Sequence, residues 1–180
     1  GVGFRATPED VAKLPRFRQD LTVANIKYKP VEPSERAEFS DLMIIGNEAE
    51  IEIGDSKEGW SQALKLYIMM MTDQSYRGIT KLSINYDSVR PKGERLKRFG
   101  GFASGHEALA DMFLKITKFI KNNQNGGKLS STDVIDINNT IGGAVVVGGV
   151  RRTAEIALIS QDDKESIQMK SSIYVKTEDG

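Results

Sequence analysis

Residues Ile141–Ser160 read I-G-G-A-V-V-V-G-G-V-R-R-T-A-E-I-A-L-I-S. They run from an apolar helical segment, through a glycine pair and two arginines, into an alternating strand-like segment. Gly148 and Gly149 carry no Cβ, so the backbone there can turn sharply and approach a ligand closely. Arg151 and Arg152 place two permanently charged, fork-shaped donors beside that turn, a chemistry suited to phosphate or carboxylate. On the residues alone, an anion-reading loop and a plain helix–loop–strand connection with solvated arginines both stand.

Working outward, the helix–loop–strand pattern repeats. Glu48–Gly54 alternates, with Ala49, Ile51 and Ile53 on one face and three glutamates on the other, which predicts a half-buried strand. Trp60, Ala63, Leu64, Tyr67, Ile68 and Met71 follow at helical spacing, and Asp55 or Ser56 is the natural N-cap. The Met69–Met71 triplet reads as core packing. Ile79–Tyr86 alternates again, with Thr80, Leu82, Ile84 and Tyr86 on one side. A helix between two strands predicts a βαβ crossover and a parallel pair, hence an α/β fold. Arg90-Pro91-Lys92-Gly93 marks a turn.

Phe99–Gly105 is a glycine-rich loop running into a predicted helix over Ser104–Asn122, with Ser104 and Glu107 at capping-box spacing. Such a loop can cradle phosphate, although neither a Walker motif nor a dinucleotide fingerprint is present. His106 reads as a surface residue. Asn122–Lys128 is a turn, after which Ser130 or Ser131 caps a helix carrying Val134, Ile137, Ile141, Ala144 and Val145 on one face. Gly142 and Gly143 inside it predict close packing against a neighbour. A strand over Thr153–Ile159 follows, and a short one is possible at Ser172–Lys176. Near the start, Thr7-Pro8-Glu9-Asp10 opens a helix. Residues 15–46 are polar and proline-punctuated, with a short strand possible at Leu21–Tyr28, and read as an insertion or an extended connection whose charges face solvent.

The 180 residues hold 25 basic and 25 acidic side chains, so no global pull toward nucleic acid or anionic membrane is implied. No apolar run reaches membrane-spanning length and no signal pattern opens the chain, so a soluble, cytoplasmic protein is expected. Cysteine is absent, which excludes disulfides, cysteine-ligated zinc and thiol catalysis within the chain. A single histidine excludes a histidine-based metal cluster or dyad. Neither a catalytic nor a metal-ligating residue is therefore expected. The missing initiator methionine and the Gly-Val-Gly-Phe opening suggest a piece of a longer protein.

G-G-V-R-R-T-A-E-I-A-L resembles the substrate-specificity loop of ribonucleotide reductases, in particular the adenosylcobalamin-dependent (class II) branch. I-G-D-S-K-E-G-W, R-P-K-G, F-G-G-F-A-S-G and K-L-S-S-T-D-V-I-D-I are similar to other phrases of that family, in the family's order. The resemblance covers Gly1 to Met169. It implies part of a ten-stranded α/β barrel with helices connecting parallel strands. It also implies a parent enzyme that reduces ribonucleotides by a cobalamin-initiated thiyl radical, with adenosylcobalamin bound mostly outside this chain.

Carried over position by position, the resemblance makes Gly148, Gly149, Val150, Arg151 and Arg152 the loop that shapes the substrate-base pocket. Asp55, Ser56, Ser104 and Gly105 become contacts to a deoxynucleotide effector. Implied partners are ribonucleotide substrate, effector, the remaining catalytic half of the enzyme and a thioredoxin-type reductant, with no membrane and no nucleic acid. A cysteine of the reducing pair would sit immediately before Gly1. Where the family continues S-G-P, this chain has His106. Because the chemistry needs cysteines, the chain alone is expected to be inactive. The alternative is a non-catalytic nucleotide-binding regulatory module on the same scaffold.

Overall fold

The computed structural model describes residues 2–96, 101–147, 150, 151, 153–169 and 171. A mixed four-stranded sheet organises the larger part. Its strands are β2 (Thr22–Asn25), β3 (Asp41–Ile45), β4 (Glu48–Glu52) and β5 (Lys81–Asn85), in the order β2-β5-β4-β3. β2 and β4 both run parallel to β5, whereas β3 folds back antiparallel on β4. Helix α2 (Lys57–Thr72) connects β4 to β5, which is the expected parallel crossover. Residues 15–46 therefore contribute both outer strands of the sheet.

Alternation decides which face of the sheet is covered. Ala49, Ile51 and Ile53 from β4 and its exit, with Leu82, Ile84 and Tyr86 from β5, are buried in one cluster. That cluster includes Ala63, Tyr67, Met70 and Met71 of α2 and the stripe Leu109, Met112, Phe113, Ile116 and Ile120 of α3 (Glu107–Asn122). Tyr67 packs on Phe113 with ring centroids 5.2 Å apart, and its hydroxyl meets Thr117 Oγ1 at 2.8 Å. Burying each such large apolar side chain stabilises the fold by roughly 1.5–3 kcal/mol.

The opposite face is a polar ladder. Lys81 pairs with Glu48, Asn85 donates to Glu50 at 2.9 Å, and the Ser88 hydroxyl donates to Glu52 at 2.9 Å. Thr80 departs from its predicted side: at the open end of β5 it is exposed, exchanging hydrogen bonds with Asn47.

A second, smaller layer joins the two ends of the sequence. β1 (Val2–Arg5) and β8 (Glu155–Leu158) form a parallel pair. Helix α4 (Ser131–Ala144) starts at a capping box between Ser130 and Asp133 and packs against α3 and β8. Ile137, Ile141 and Ala144 of the predicted stripe meet the core, Val145 at its end is exposed, and Ser131, Ile135 and Gly142 are buried on a second side.

A Cβ on Gly142 would lie 2.3 Å from Glu155 Oε1, which bears out close packing there; Gly143 has nothing within 4 Å, which does not. β6 (Val146–Val147) and β7 (Val150–Arg151) then pair antiparallel. Two further short α-helices are α1 (Pro8–Val11), capped by Thr7, and α5 (Lys164–Gln168), capped by Asp163 in a stretch read from sequence as thinning out. The possible strand at Ser172–Lys176 lies outside the described residues.

Candidate functional site

All three parallel strands, β2, β4 and β5, send their carboxyl ends to one place, the edge of an α/β sheet where ligands bind. The exit of β2 brings Tyr28 and Arg36, the exit of β4 brings Asp55 and Ser56, and the exit of β5 brings Arg90 and Glu94. The segment Ala103–His106 closes over them. Backbone bonds hold that closure: Gly93 N–H donates to the Ala103 carbonyl at 3.0 Å and Ala103 N–H to the Glu94 carbonyl at 2.8 Å. Gly105 sits close enough to Lys92 that a Cβ there would meet Lys92 N at 3.1 Å.

Four charges knit this edge. Arg36 grips Glu94 through two bonds of 2.7 Å, and its Nη1 lies 3.7 Å from Asp55 Oδ2. Arg90 reaches Asp55 through Nε at 3.0 and 2.9 Å and through Nη2 at 2.9 Å, while its backbone N–H donates to Oδ1 at 3.1 Å. The Asp55 and Arg36 side chains are only 11% and 9% exposed. The Glu94 hydrogen bonds hold the Arg36 guanidinium above its ordinary value against the opposing effect of burial. Two cations and two carboxylates balance, so the cluster is a rigid neutral frame rather than a bare anion trap.

Ser56 and Asp55 divide the two roles that the sequence left open. Ser56 is the N-cap of α2, accepting from Gly59 N–H at 2.8 Å while donating to the Glu38 carbonyl at 2.6 Å. Asp55 spends its carboxylate on the arginines. Gly54 and Gly59 are required by close approach: a Cβ at either would lie within 2.7 Å of the Glu38 carbonyl oxygen.

The glycine-rich loop differs from expectation in two ways. Helix α3 starts at Glu107 rather than Ser104, because Gly105 adopts φ +81°, a left-handed conformation no helix contains. The Ser104–Glu107 capping box therefore does not form, and His106, at the N-cap, makes no side-chain cap bond. Nor is His106 a surface residue. Its ring stacks on Tyr28 with centroids 3.9 Å apart at 25°, leans on Tyr86 at 5.5 Å, and is 20% exposed. Burial raises the pKa of Tyr28 and Tyr86 alike.

Of the predicted site residues, the structure thus brings Asp55, Ser56, Ser104 and Gly105 to one sheet edge. Gly148, Gly149 and Arg152 lie outside the described residues, and Val150 and Arg151 are described as backbone of β7. Sequence reasoning missed Tyr28, Arg36, Arg90 and Glu94. Only Arg90, fixed before a proline in a turn, left a local trace.

Comparison with known proteins follows the same residues. Residues 33–120 match the family model described as B12-dependent ribonucleotide reductase, insertion domain. Adenosylcobalamin-dependent ribonucleoside-triphosphate reductases from Lactobacillus delbrueckii subsp. bulgaricus and Lactobacillus leichmannii are 37% and 35% identical, over 94% of this chain. A crystal structure of a B-12 dependent (class II) ribonucleotide reductase superposes on 96% of the chain with a TM-score of 0.77 and 30% identity. Over nearly its whole length this chain is similar to class II ribonucleotide reductases. It spans about a quarter of its relatives' length, 24% of each. In this chain the G-D-S, R-P-K-G and A-S-G phrases, some 50 residues apart at the extremes, meet as one edge.

Proposed function

We propose that this chain is a nucleotide-reading segment of a cobalamin-dependent ribonucleotide reductase, a larger enzyme that converts ribonucleotides to deoxyribonucleotides. The observation that carries the reading is the convergence of three family phrases at the carboxyl ends of three parallel strands. Asp55, Ser56, Ser104 and Gly105 form the wall offered to a deoxynucleotide effector, with Asp55 acting mainly by orienting Arg90, whose side chain is 31% exposed. Gly148, Gly149, Val150, Arg151 and Arg152 form the loop offered to the substrate base. An effector ordering one loop and a substrate touching the other supplies the two sites that allostery requires.

The remainder of the enzyme carries the cysteines and receives electrons from a thioredoxin-type reductant in the cytoplasm. It also completes a ten-stranded barrel around β1 and β8. That pair supports the reading, since parallel strands are normally covered on both faces, yet Val2, Ile156 and Leu158 are 66%, 67% and 55% exposed.

The cofactor itself does not fit the residues described. The sole histidine that could approach a cobalt ion is held in the Tyr28 stack, and no group of three or more His, Asp or Glu suited to a metal occurs among the described residues. Adenosylcobalamin supplies the radical from elsewhere in the parent enzyme.

The test is reduction of each ribonucleoside triphosphate by the full-length enzyme carrying this segment, with adenosylcobalamin, a dithiol and single deoxynucleotide effectors. Replacing Arg151 and Arg152 with alanine should scramble which effector promotes which substrate. Binding of deoxynucleotides without any turnover would instead establish the non-catalytic regulatory module.

A further inference from the structure

The glycine-rich wall of this site is held by a device that neither the family match nor the helix-capping pattern supplies. Helix α3 begins without a side-chain cap, directly after Gly105 at φ +81°. A glycine in the left-handed region loses much conformational freedom on ordering, so something must fix the turn. Two ring contacts converge on the next residue. The His106 ring lies 3.9 Å from the Tyr28 ring at 25°, and 5.5 Å from the Tyr86 ring at 43°.

Both tyrosines are themselves anchored. Tyr28 donates its hydroxyl to the Val89 carbonyl at 2.7 Å, and Tyr86 donates to Asn25 Oδ1 at 2.8 Å. The ring of His106 therefore docks on side chains fixed to the exits of β2 and β5.

We propose that His106 is a positioning residue, an aromatic clasp that holds the Ala103–Gly105 turn over the Asp55–Arg90 frame by stacking on Tyr28 and Tyr86. The role needs a flat ring at position 106, not a proton. Its neighbours are consistent with that. Glu107 Oε2 stands 3.9 Å from His106 Nδ1, too far for a hydrogen bond, so ring packing rather than a polar contact secures the side chain. Aromatic stacking contributes beyond simple area burial. The inference rests on the nucleotide-site reading for its consequence, and on the local geometry for its mechanism.

The experiment uses the full-length enzyme as wild type, His106→Phe and His106→Ala. It measures the affinity for each of the four deoxynucleoside triphosphates by calorimetry and amide exchange across residues 101–108. His106→Ala should weaken the bound effector by about tenfold, the order expected from losing one aromatic pair, and speed exchange across 101–108. His106→Phe, which keeps a ring and loses the imidazole, should restore both to within about twofold. Equal failure of the Phe and Ala variants, or unchanged exchange in the Ala variant, overturns the clasp. If wild type binds no deoxynucleotide, the nucleotide reading fails, and the exchange data still decide the clasp.

Discussion

Removing the Asp55 carboxylate should cost stability in proportion to how thoroughly it is used. Its two oxygens take Arg90 Nε, Nη2 and backbone N–H at 2.9–3.1 Å, with Arg36 Nη1 at 3.7 Å. Breaking a fully buried pair by deleting one partner costs about 3–5 kcal/mol. Asp55 is 11% exposed but Arg90 is 31% exposed, so solvent recovers part of the loss and Asp55→Ala should cost about 2 kcal/mol. With a urea slope of about 1–3 kcal/mol per molar, the midpoint should fall by about 1 M.

Asp55→Asn keeps an acceptor for the Arg90 backbone N–H and should lose about half as much. In a double-mutant cycle with Arg90→Met, the second change should cost little once the first is made, leaving a coupling of about 1–2 kcal/mol. The assay is urea unfolding followed by the fluorescence of Trp60. A cost under about 0.5 kcal/mol, or additive effects of the two changes, would refute the frame. A normally stable Asp55→Asn variant that no longer binds deoxynucleotide would make Asp55 a direct ligand contact instead.

Three further outcomes follow from the packing. Gly143→Ala, with open space around it in α4, should stabilise by up to about 1 kcal/mol through helix propensity, whereas Gly142→Ala drives a methyl into Glu155 and should gain less or destabilise, both read by thermal melting. Gly54→Ala forces a Cβ to 2.4 Å from the Glu38 carbonyl oxygen, a backbone atom, and should destabilise by about 1–3 kcal/mol in urea.

Tyr67 is fully buried, and burial pushes its pKa up to about 12 against the opposing Thr117 hydrogen bond. Its folded pKa lies above its unfolded value, so its contribution is fully present below about pH 10 and is lost as pH rises toward 12. Two pH units correspond to a loss on the order of 2–3 kcal/mol. Tyr67→Phe should therefore flatten part of the alkaline limb of a stability–pH curve; an unchanged limb would contradict the assignment.

What the sequence disclosed was what local periodicity records. The alternation of Glu48–Gly54 and Ile79–Tyr86 marked two strands and, Thr80 apart, their buried face, and the α3 stripe marked the helix that covers them. Serine before a helical run marked the α2 and α4 caps. The misses share a cause: they depend on partners far along the chain or on one backbone angle. Arg36 and Glu94 are 58 residues apart, as Arg90 and Asp55 are 35 apart, and a single sequence carries no trace of either pairing.

Ser104 and Glu107 had the right spacing for a capping box, but the positive φ of Gly105 between them forbids the helix that would use it. His106 looked like a surface residue because nothing local announces the Tyr28 ring 78 positions earlier, an offset visible only in the fold. On the site itself, the family phrases named Asp55, Ser56, Ser104 and Gly105, and the structure added the frame that holds them.

The central claim is that this sheet edge reads a deoxynucleotide, and photolabelling tests it most directly. The full-length enzyme would be irradiated with an azido-deoxyadenosine triphosphate, digested, and the labelled peptides sequenced. The account predicts label on peptides spanning 54–56, 90–95 or 101–106, with competition by unmodified deoxynucleotide. Competable label confined to other parts of the enzyme, with none on these peptides, would contradict it.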